Sequence, residues 1–549
     1  MEILEVKNLT FCYPTENAPT LKDVSFSVSE GELITVCGAT GSGKSTLLRL
    51  LKRELAPVGK LSGEIFLEGR SVTSLSAREA AEKIGYVMQQ PEQQIVTDKV
   101  WHELAFGLEN LGIPSGEIRR RVAEMASYFG MEDLFLRDTG SLSGGQKQLL
   151  NLASVMVMGP SVLLLDEPTA QLDPIAAADF IATLDKLRRE LSLTVIIIEH
   201  RLEELMPLCD RLLVLENGSV LTFAPPREAV SVLAGRRDLL LAMPSAVRLY
   251  HGLADFPEKT AVPLDIREGR AFLREHYRKN LSDIPEKEPP SGRETALSFE
   301  HVAFRYEKNG NDILSDLNFR VFARECFCIL GGNGAGKSTA LSVAAGLLKP
   351  YFGTVRLFGK KWKSYAAESP YGKVLSYLPQ EVTTVFSRNT VREELTASGV
   401  DIGNFPYDLT PLLDRHPYDL SGGERQLVAL AMITASNPGL ILLDEPTKGL
   451  DACAKREMIG VLHALKEKGV TVVCVTHDVE FAAELADRVA LFFRGELIST
   501  DTPRRFFSGN RFYTTPISRM TKGFFGNAVT VDDAVCFCEN NFGKEKSEC

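Results

Sequence analysis

An ordered series of four short motifs occurs twice along this chain of 549 residues. The series is a glycine-rich loop, an LSGG stretch, a DEPT stretch and a histidine that follows an apolar run; the two sets begin at Gly38, Leu142, Asp166 and His200, and at Gly331, Leu420, Asp444 and His477. The serine of LSGG and the glutamate of DEPT are 24 residues apart in both sets. Because matched order and spacing indicate duplication of a structural unit, the chain is predicted to contain two copies of one domain.

The composition fits a folded chain with a large apolar core. Apolar residues make up 44% and charged residues 24% of the sequence, so neither a disordered chain nor a protein with many membrane spans is predicted. The formal net charge of −10 argues against a dominant nucleic-acid surface, which depends on clustered lysine and arginine. The first 14 residues alternate between apolar and polar side chains, which is typical of a strand and not of an export signal. Ten scattered cysteines favour a reducing compartment.

Four segments are predicted from the repeat and from changes in composition. The two copies cover 1–230 and 297–508, and residues 231–296 between them have helix-like apolar spacing followed by the charged, proline-rich stretch PEKEPPSGRE. This middle region is predicted to be a helical appendage and a linker. The tail, 509–549, is assigned no function, because Cys536, Cys538 and Cys549 are too few ligands for a metal site and are interpreted as reduced thiols.

Each glycine-rich loop follows an apolar run and precedes a helix-like stretch, which is the context of a phosphate-binding loop. Glycines let backbone N–H groups surround phosphate oxygens, and the helix N-terminus adds partial positive charge. In such a loop the lysine reaches the β- and γ-phosphates of ATP, and the serine after it ligates Mg²⁺. The predicted binding residues of the two loops are Gly38, Gly41, Gly43, Lys44, Ser45, Thr46, Gly331, Gly334, Gly336, Lys337, Ser338 and Thr339.

The DEPT stretches follow apolar tetrads that are predicted to be buried parallel strands of an α/β sheet. Two carboxylates at the end of such a strand lie in the ligand crevice. Asp166 and Asp444 are predicted to help hold Mg²⁺, and Glu167 and Glu445 to orient and deprotonate the attacking water. Capping of the following helix is the alternative role for a single DEPT stretch.

Three further residue types occupy matching places in both copies. His200 and His477 end apolar strands on the same side as the phosphate loop and are predicted to contact the γ-phosphate. Gln89 and Gln380 are candidate contacts to Mg²⁺ and to water, with Gln90 as a rival in the first copy. On the first strand of each copy, an aromatic ring is predicted to stack on adenine, with a plain core aromatic as the alternative; the two rings are Tyr13 and Tyr306.

With these motifs in this order, both copies resemble the nucleotide-binding domain of ATP-binding-cassette (ABC) proteins. The resemblance implies an α/β fold of two P-loop NTPase domains, each with a RecA-like core, a β-rich subdomain and a helical insertion that carries the LSGG signature.

The resemblance also implies head-to-tail pairing of the two domains within this one chain. The signature of one copy would then close the phosphate site of the other, with Ser421, Gly422 and Gly423 facing Lys44, and Ser143, Gly144 and Gly145 facing Lys337. Asp173 and Asp451 match the family's interface aspartate. Neither site lacks a catalytic residue, so both are predicted to hydrolyse ATP.

Within this family, the stretch QQPEQQIVTDKVWHELAFGLENLG of the first copy resembles the ATPases of energy-coupling-factor (ECF) importers, and so do IIIEHRLEEL and the appendage. The resemblance implies a peripheral ATPase at the cytoplasmic face of the cell membrane. Its partners would be a transmembrane coupling subunit and a substrate-capture membrane protein for vitamins or transition-metal ions, and no nucleic acid is expected. The second copy lacks the AFG-x-E-N text and has 13 fewer residues between Gln380 and Ser421 than the first has between Gln89 and Ser143. Its insertion is therefore predicted to be smaller, and the two docking grooves unequal.

Two alternative functions also fit a chain with paired cassettes. A non-transport tandem ATPase acting on ribosomes is disfavoured by the acidic charge balance. It is also disfavoured by the linker, whose sequence does not indicate one long charged helical hairpin. A sugar-importer tandem ATPase would change the transported substrate. It is less favoured because such proteins often carry one degenerate site.

Overall fold

The computed structural model describes residues 2–14, 16, 18–253, 261–276, 284–285, 293–365 and 369–545. They form two compact units, Met1–Val247 and Arg248–Cys549. The division falls inside the predicted appendage. Most of the predicted proline-rich linker lies outside the described residues.

The first unit contains two sheets. A four-stranded antiparallel sheet has the order β2-β1-β4-β5, and a six-stranded sheet has the order β10-β9-β3-β8-β7-β6, with all but its β10 edge parallel. The strands are β1 (Glu2–Cys12), β2 (Leu21–Ser29), β3 (Leu33–Cys37), β4 (Lys60–Leu67), β5 (Arg70–Ser71), β6 (Ile84–Val87), β7 (Val162–Asp166), β8 (Thr194–Ile198), β9 (Arg211–Glu216) and β10 (Ser219–Ala224). The central strands β3, β7 and β8 are buried on both faces, which explains their continuous apolar sequences.

Helices of the first unit cover its parallel sheet and build the insertion. They are α1 (Lys44–Leu50), α2 (Ala77–Lys83), α3 (Val100–Asn110), α4 (Ser115–Tyr128), α5 (Gly144–Met156), α6 (Pro174–Leu191), α7 (Pro226–Val232) and α8 (Arg237–Leu241), and α9 (Ser245–Gly252) follows where the second unit begins. The insertion has its own apolar core, to which Leu104 of α3, Val122 of α4 and Leu150 of α5 belong. These three helices are amphipathic and bury one face against one another.

The second unit repeats the two sheets in matching order, β12-β11-β14-β15 and β16-β17-β18-β13-β19-β20. Its strands are β11 (Thr295–Phe304), β12 (Leu314–Phe322), β13 (Cys326–Leu330), β14 (Phe352–Leu357), β15 (Lys360–Lys361), β16 (Leu375–Leu378), β17 (Leu440–Asp444), β18 (Thr471–Val475), β19 (Arg488–Phe493) and β20 (Glu496–Asp501). Its helices are α10 (Ile266–His276), α11 (Lys337–Ala344), α12 (Val391–Ser398), α13 (Gly422–Thr434), α14 (Ala452–Glu467), α15 (Val479–Leu485), α16 (Pro503–Gly509), α17 (Pro516–Thr521) and α18 (Val531–Glu545). The α/β class, with two P-loop domains that each combine a parallel core sheet, an antiparallel sheet and a helical insertion, is therefore confirmed.

The insertion of the second unit is smaller, as the 13-residue difference predicts. Between α12 and α13 the described residues form short 3-10 turns, and no counterpart of α4 occurs there. Outside the cassette, the tail is helical: α17 packs against α10 of the appendage and against α18, and Arg270 and Arg274 lie over the ring of Phe524. Among the described residues, no helix combines the length and the apolar character needed to cross a bilayer.

Candidate functional site

The predicted site residues gather at one edge of the parallel sheet in each unit. The phosphate loop follows β3 or β13, the glutamine follows β6 or β16, the DEPT stretch follows β7 or β17, and the histidine follows β8 or β18. Parallel strands bring their carboxyl ends to the same edge, so residues far apart in sequence meet there. This arrangement arises separately within each unit.

Two glycines fix the shape of each phosphate loop. Gly43 and Gly336 precede the first helical residue with φ of 95° and 103°, a left-handed conformation that favours glycine. A side chain at Gly38 would place its Cβ 2.2 Å from the carbonyl oxygen of Leu215, and one at Gly331 would lie 2.4 Å from that of Phe492. The backbone can therefore curl tightly only with glycine at these places.

Both loop lysines are folded back over their own loop. Lys44 Nζ donates to the carbonyl oxygens of Gly38 (2.8 Å) and Ala39 (2.9 Å), and Lys337 Nζ makes the equivalent bonds to Gly331 and Gly332 at the same distances. Each lysine is only 6% exposed. The ammonium group is thus held against its own loop, where it can meet a phosphate oxygen.

A serine and an aspartate form the candidate Mg²⁺ site in each unit. Ser45 Oγ donates to Asp166 Oδ1, and Ser338 Oγ donates to Asp444 Oδ1, both at 2.9 Å. Burial and, to a smaller extent, the adjacent glutamate raise the pKa of Asp166 above its ordinary value and that of Asp444 to about 6, although the hydrogen bond from the serine lowers each pKa. A hydroxyl beside two crowded, buried carboxylates is an oxygen donor set that suits a hard divalent cation, so these residues fit Mg²⁺.

The raised pKa of Asp444 predicts that this residue destabilises the nucleotide-free fold. An aspartate ordinarily titrates near pH 4, so the folded chain binds this proton more tightly than the unfolded chain, and the ionised group is unfavourable above about pH 6. We expect Asp444→Asn to raise the free energy of unfolding by about 2 kcal/mol at pH 7.5 in EDTA, and by less towards pH 4. Denaturant unfolding of both variants measures this, with the exposed Asp414→Asn as a control. A less stable Asp444→Asn chain at pH 7.5 would contradict the expectation.

In the first unit, the candidate base Glu167 is held by two side chains. His200 Nε2 lies 2.8 Å from Glu167 Oε1, and Gln89 Nε2 donates to Glu167 Oε2 at 2.6 Å. The amide oxygen of Gln90 instead accepts from Gln93, so Gln89 is the glutamine that reaches the carboxylate. Glu167 has φ of 47°, a strained conformation for a residue with a side chain, which is typical of functional positions.

In the second unit, Glu445 is held differently. His477 Nδ1 lies 2.8 Å from Glu445 Oε2, whereas Gln380 is exposed and, among the described residues, makes no hydrogen bond to Glu445. Burial raises the pKa of Glu445, but the hydrogen bond from His477 and the charges of His477 and Lys337 outweigh it and hold this pKa below its ordinary value. Glu445 has φ of 49°, so the unusual backbone conformation is shared by both units.

The tyrosines lie beside the helix that begins each phosphate loop. Tyr13 OH is 3.0 Å from Thr46 Oγ1, and Tyr306 OH is 3.1 Å from Thr339 Oγ1. Tyr13 is half-buried and packs against the apolar core of the first unit, whereas Tyr306 is 65% exposed, so each ring keeps some accessible surface. A ring with accessible surface next to the phosphate loop fits the predicted contact with adenine.

The signature and interface residues cap helices. Ser143 and Ser421 are the N-caps of α5 and α13, each in a capping box. Asp173 and Asp451 accept hydrogen bonds from the backbone N–H groups of Ala176 and Ala454, which caps α6 and α14. The structure therefore places the signature glycines Gly144, Gly145, Gly422 and Gly423 in the first turns of helices within the insertions. Their pairing with the opposite phosphate loop stays a prediction.

Three site residues were not among the predicted ones. Tyr86 OH donates to Asp166 Oδ2 at 3.1 Å, and Tyr377 takes the equivalent place beside Asp444 in the second unit. Both tyrosines stand three residues before the glutamine, so comparing the two copies could have found them. Glu199, directly before His200, is 3% exposed and accepts a hydrogen bond from the backbone N–H of Thr169 at 2.8 Å. Burial raises the pKa of this carboxyl, while the hydrogen bonds from Thr169 act in the opposite direction.

Comparison with known proteins gives one consistent family. A family model described as ABC transporter matches residues 21–170 and 314–448. A relative from Bacillus anthracis is 40% identical over 548 residues, which is 98% of each chain, and one from Streptomyces coelicolor is 35% identical over 531 residues, covering 90% of this chain and 93% of its own; both are named ABC transporter ATP-binding proteins. Among solved structures, the complex of archaeal ribosomal stalk protein aP1 with the ribosome recycling factor aABCE1 matches with a TM-score of 0.57 and 20% identity over 91% of each chain. That likeness concerns the fold alone.

Proposed function

The chain belongs to the ABC transporter family and is therefore an ATPase, and from this premise we propose that it is the motor subunit of an ECF-type importer. In this proposal, ATP binding and hydrolysis at two sites drive uptake of a vitamin or a transition-metal ion through a transmembrane coupling subunit and a substrate-capture membrane protein. The place of action is the cytoplasmic face of the cell membrane, where the chain binds peripherally. The support comes from the resemblance of the first insertion to ECF ATPases and from the surface described next.

The observation that carries the proposal is an apolar patch on the insertion of the first unit. It consists of Val96, Trp101 and Leu136, which are 61%, 39% and 75% exposed. The backbone N–H of Trp101 donates to the carbonyl oxygen of Phe135, so Trp101 and Leu136 are neighbours, and Val96 is tied to the first turn of α3 through Glu103. Exposed apolar clusters of this kind are typical of surfaces that bind a partner.

The second unit carries charges at the positions equivalent to Trp101 and Leu136. There the backbone N–H of Arg392 donates to the carbonyl oxygen of Leu413, which matches the bond from Trp101 to Phe135. Arg392 therefore corresponds to Trp101 and Asp414 to Leu136, and these two side chains form an ion pair at 2.8 Å. We propose that the coupling subunit inserts an apolar helical segment at the patch of the first unit and makes a polar contact with the second.

The patch is connected to the candidate base through a short, braced segment. Eleven residues lie between Gln89, which contacts Glu167, and Trp101. This segment is fixed by Gln94, which bonds the backbone of Tyr86 and Met88, and by Asn151 of α5, which bonds the carbonyl oxygen of Pro91. A movement of the partner at the patch can therefore be transmitted to the residues around Glu167.

In the proposed reaction, the chain orients the attacking water and stabilises the phosphates. Glu167 and Glu445 would take a proton from the water, while His200 and His477 hold each carboxylate in place. Lys44 and Lys337 would neutralise phosphate oxygens, and Mg²⁺, which the serine and aspartate pair would hold, would supply further positive charge against the negative charge that develops on the phosphates as ADP leaves. Tyr13 and Tyr306 would position adenine, and Gln89 would link these events to the patch.

Replacing the patch by the charged pair of the second unit tests the proposal. We expect the double variant W101R/L136D to lose at least about 90% of a polytopic membrane partner that copurifies with the tagged chain from detergent-solubilised membranes. The change should fold, because the same pair exists at Arg392 and Asp414. The ATPase rate of the purified chain is expected to stay within about twofold, since the patch lies outside the nucleotide site. Mass spectrometry identifies the partner.

The matched control is V58E, which introduces a charge at an apolar side chain that is 83% exposed elsewhere on the first unit. This control should retain the partner. Equal recovery of the membrane protein with W101R/L136D would contradict docking at the patch. Salt-sensitive cosedimentation with ribosomes, and no membrane protein in any preparation, would instead support the non-transport alternative.

A further inference from the structure

The residue before the histidine differs between the two units, although both versions are buried. It is Glu199 in the first unit, 3% exposed, and Thr476 in the second, fully buried. Glu199 Oε1 accepts from the backbone N–H of Thr169 at 2.8 Å, and Oε2 accepts from the backbone N–H of His200 at 3.2 Å. A carboxylate with two N–H donors makes stronger hydrogen bonds than a hydroxyl does.

Glu199 and Arg201 together hold the segment that follows Glu167. Thr169 begins this segment, and the backbone N–H of Leu172 donates to its carbonyl oxygen at 3.0 Å. Arg201 Nη1 donates to the carbonyl oxygen of Leu172 at 3.2 Å. The residues on both sides of His200 therefore fix the chain between Glu167 and Asp173.

The second unit shares the turn, since the backbone N–H of Leu450 donates to the carbonyl oxygen of Thr447 at 3.2 Å, but Thr476 takes the place of the Glu199 carboxylate. Thr476 Oγ1 lies 3.4 Å from Thr447 Oγ1, a long contact, and accepts from the backbone N–H of Asp478 at 3.1 Å. Asp478 then caps α15 by accepting from the backbone N–H of Phe481, whereas residues 203–208 of the first unit form turns. An aspartate at this place starts a helix, and Arg201 does not. The carboxylate of Glu199 is thus a feature of the first site.

We propose that Glu199 is a positioning residue of the first ATP site, which holds the segment after Glu167 against the strand end that carries His200. Glu167 then keeps its contacts with His200 and Gln89 as the nucleotide turns over. The second site performs the same function with the weaker pair of threonine hydroxyls. The inference rests on the proposed role of Glu167 as the base and not on the identity of the membrane partner.

The decisive experiment is the exchange E199T in the full chain, which gives the first site the residue of the second. In an E445Q background, where only the first site has its base, we expect kcat for ATP to fall about tenfold and KM to stay within about twofold. E199Q keeps one acceptor oxygen but turns an amide donor towards a backbone N–H, so its kcat should fall about threefold. Steady-state phosphate release with Mg²⁺-ATP measures both constants.

The matched control is E199T in an E167Q background, where only the second site turns over, and here kcat should change less than about twofold. A parallel fall in both backgrounds would show a general structural defect and overturn the proposal. So would an unchanged kcat in the E445Q background, or a loss confined to KM. If E199T does not fold, E199Q decides by the same criteria.

Two outcomes separate this inference from the roles on which it rests. If E445Q and E167Q each leave hydrolysis undiminished, the assignment of the bases is wrong, which is a different failure from an inert Glu199. If either of them silences the whole chain, E199T is compared with the unaltered chain in single-turnover hydrolysis. In that experiment the phosphate formed at the first site, about half of the total, should appear about tenfold more slowly than in the unaltered chain. An unchanged time course would overturn the proposal.

Discussion

Replacing Glu167 and Glu445 together by glutamine is expected to lower the steady-state ATPase rate by at least about 1,000-fold, while ATP remains bound. A positioned general base contributes about 100- to 10,000-fold to such a reaction. Glutamine is nearly the same size and still accepts hydrogen bonds, but it cannot take a proton from water at neutral pH. The phosphate loop and the Ser45–Asp166 pair do not depend on this carboxylate, so the affinity for Mg²⁺-ATP should change by less than about threefold.

Phosphate release and equilibrium binding of a fluorescent ATP analogue measure the two quantities in the same preparation. The surface variant E124Q on α4 is a suitable control, because its carboxylate is exposed and pairs only weakly with Arg120. The single variants E167Q and E445Q show how much each site contributes. Undiminished hydrolysis by the double variant would refute the role assigned to both glutamates.

Sequence reasoning identified those parts of the site in which local sequence fixes local structure. The phosphate loops need glycine at Gly43 and Gly336 because of positive φ, and the apolar tetrads before DEPT have the length and character of buried strands, which they form. Since parallel strands end at one edge, Ser45 and Asp166 meet across 121 residues. The sequence also predicted the smaller insertion of the second unit, because fewer residues lie between the glutamine and the LSGG serine in that copy.

The parts that sequence reasoning missed depend on packing between distant segments. Helices α17 and α18 are short or irregular in sequence, and such helices form only when their apolar faces are covered. In this chain the apolar faces are buried by the stacking of Phe525 on Phe537 and by the contact between α10 and α17. Likewise, Gln89 and Gln90 are indistinguishable in sequence, and only the direction of each side chain shows which one reaches Glu167.

Replacing Lys44 and Lys337 together by alanine is expected to weaken nucleotide binding by about 100-fold at each site, in contrast to the glutamate variants. Each lysine would lose its charge-assisted contact with the phosphates, worth about 3 kcal/mol, which corresponds to about 100-fold in affinity. Each loop would also lose the two hydrogen bonds that tie Nζ to its own carbonyl oxygens, so its shape would be less well defined before ATP arrives. The ATPase rate should fall with the occupancy.

Titration with the same fluorescent ATP analogue measures this loss, and thermal unfolding without nucleotide shows whether the chain is intact. K361A, at an exposed lysine of β15, is the control for the loss of a positive charge. K44R/K337R keeps the charge but replaces a compact ammonium by a planar fork that cannot fit between the two carbonyl oxygens, so it should restore only part of the affinity. The lysines are assigned to binding the phosphates and the glutamates to activating the water. K44A/K337A should therefore bind ATP weakly, whereas E167Q/E445Q should bind ATP normally and not hydrolyse it. Equal affinity of the parent chain and K44A/K337A for the analogue would show that these loops are not where the phosphates bind.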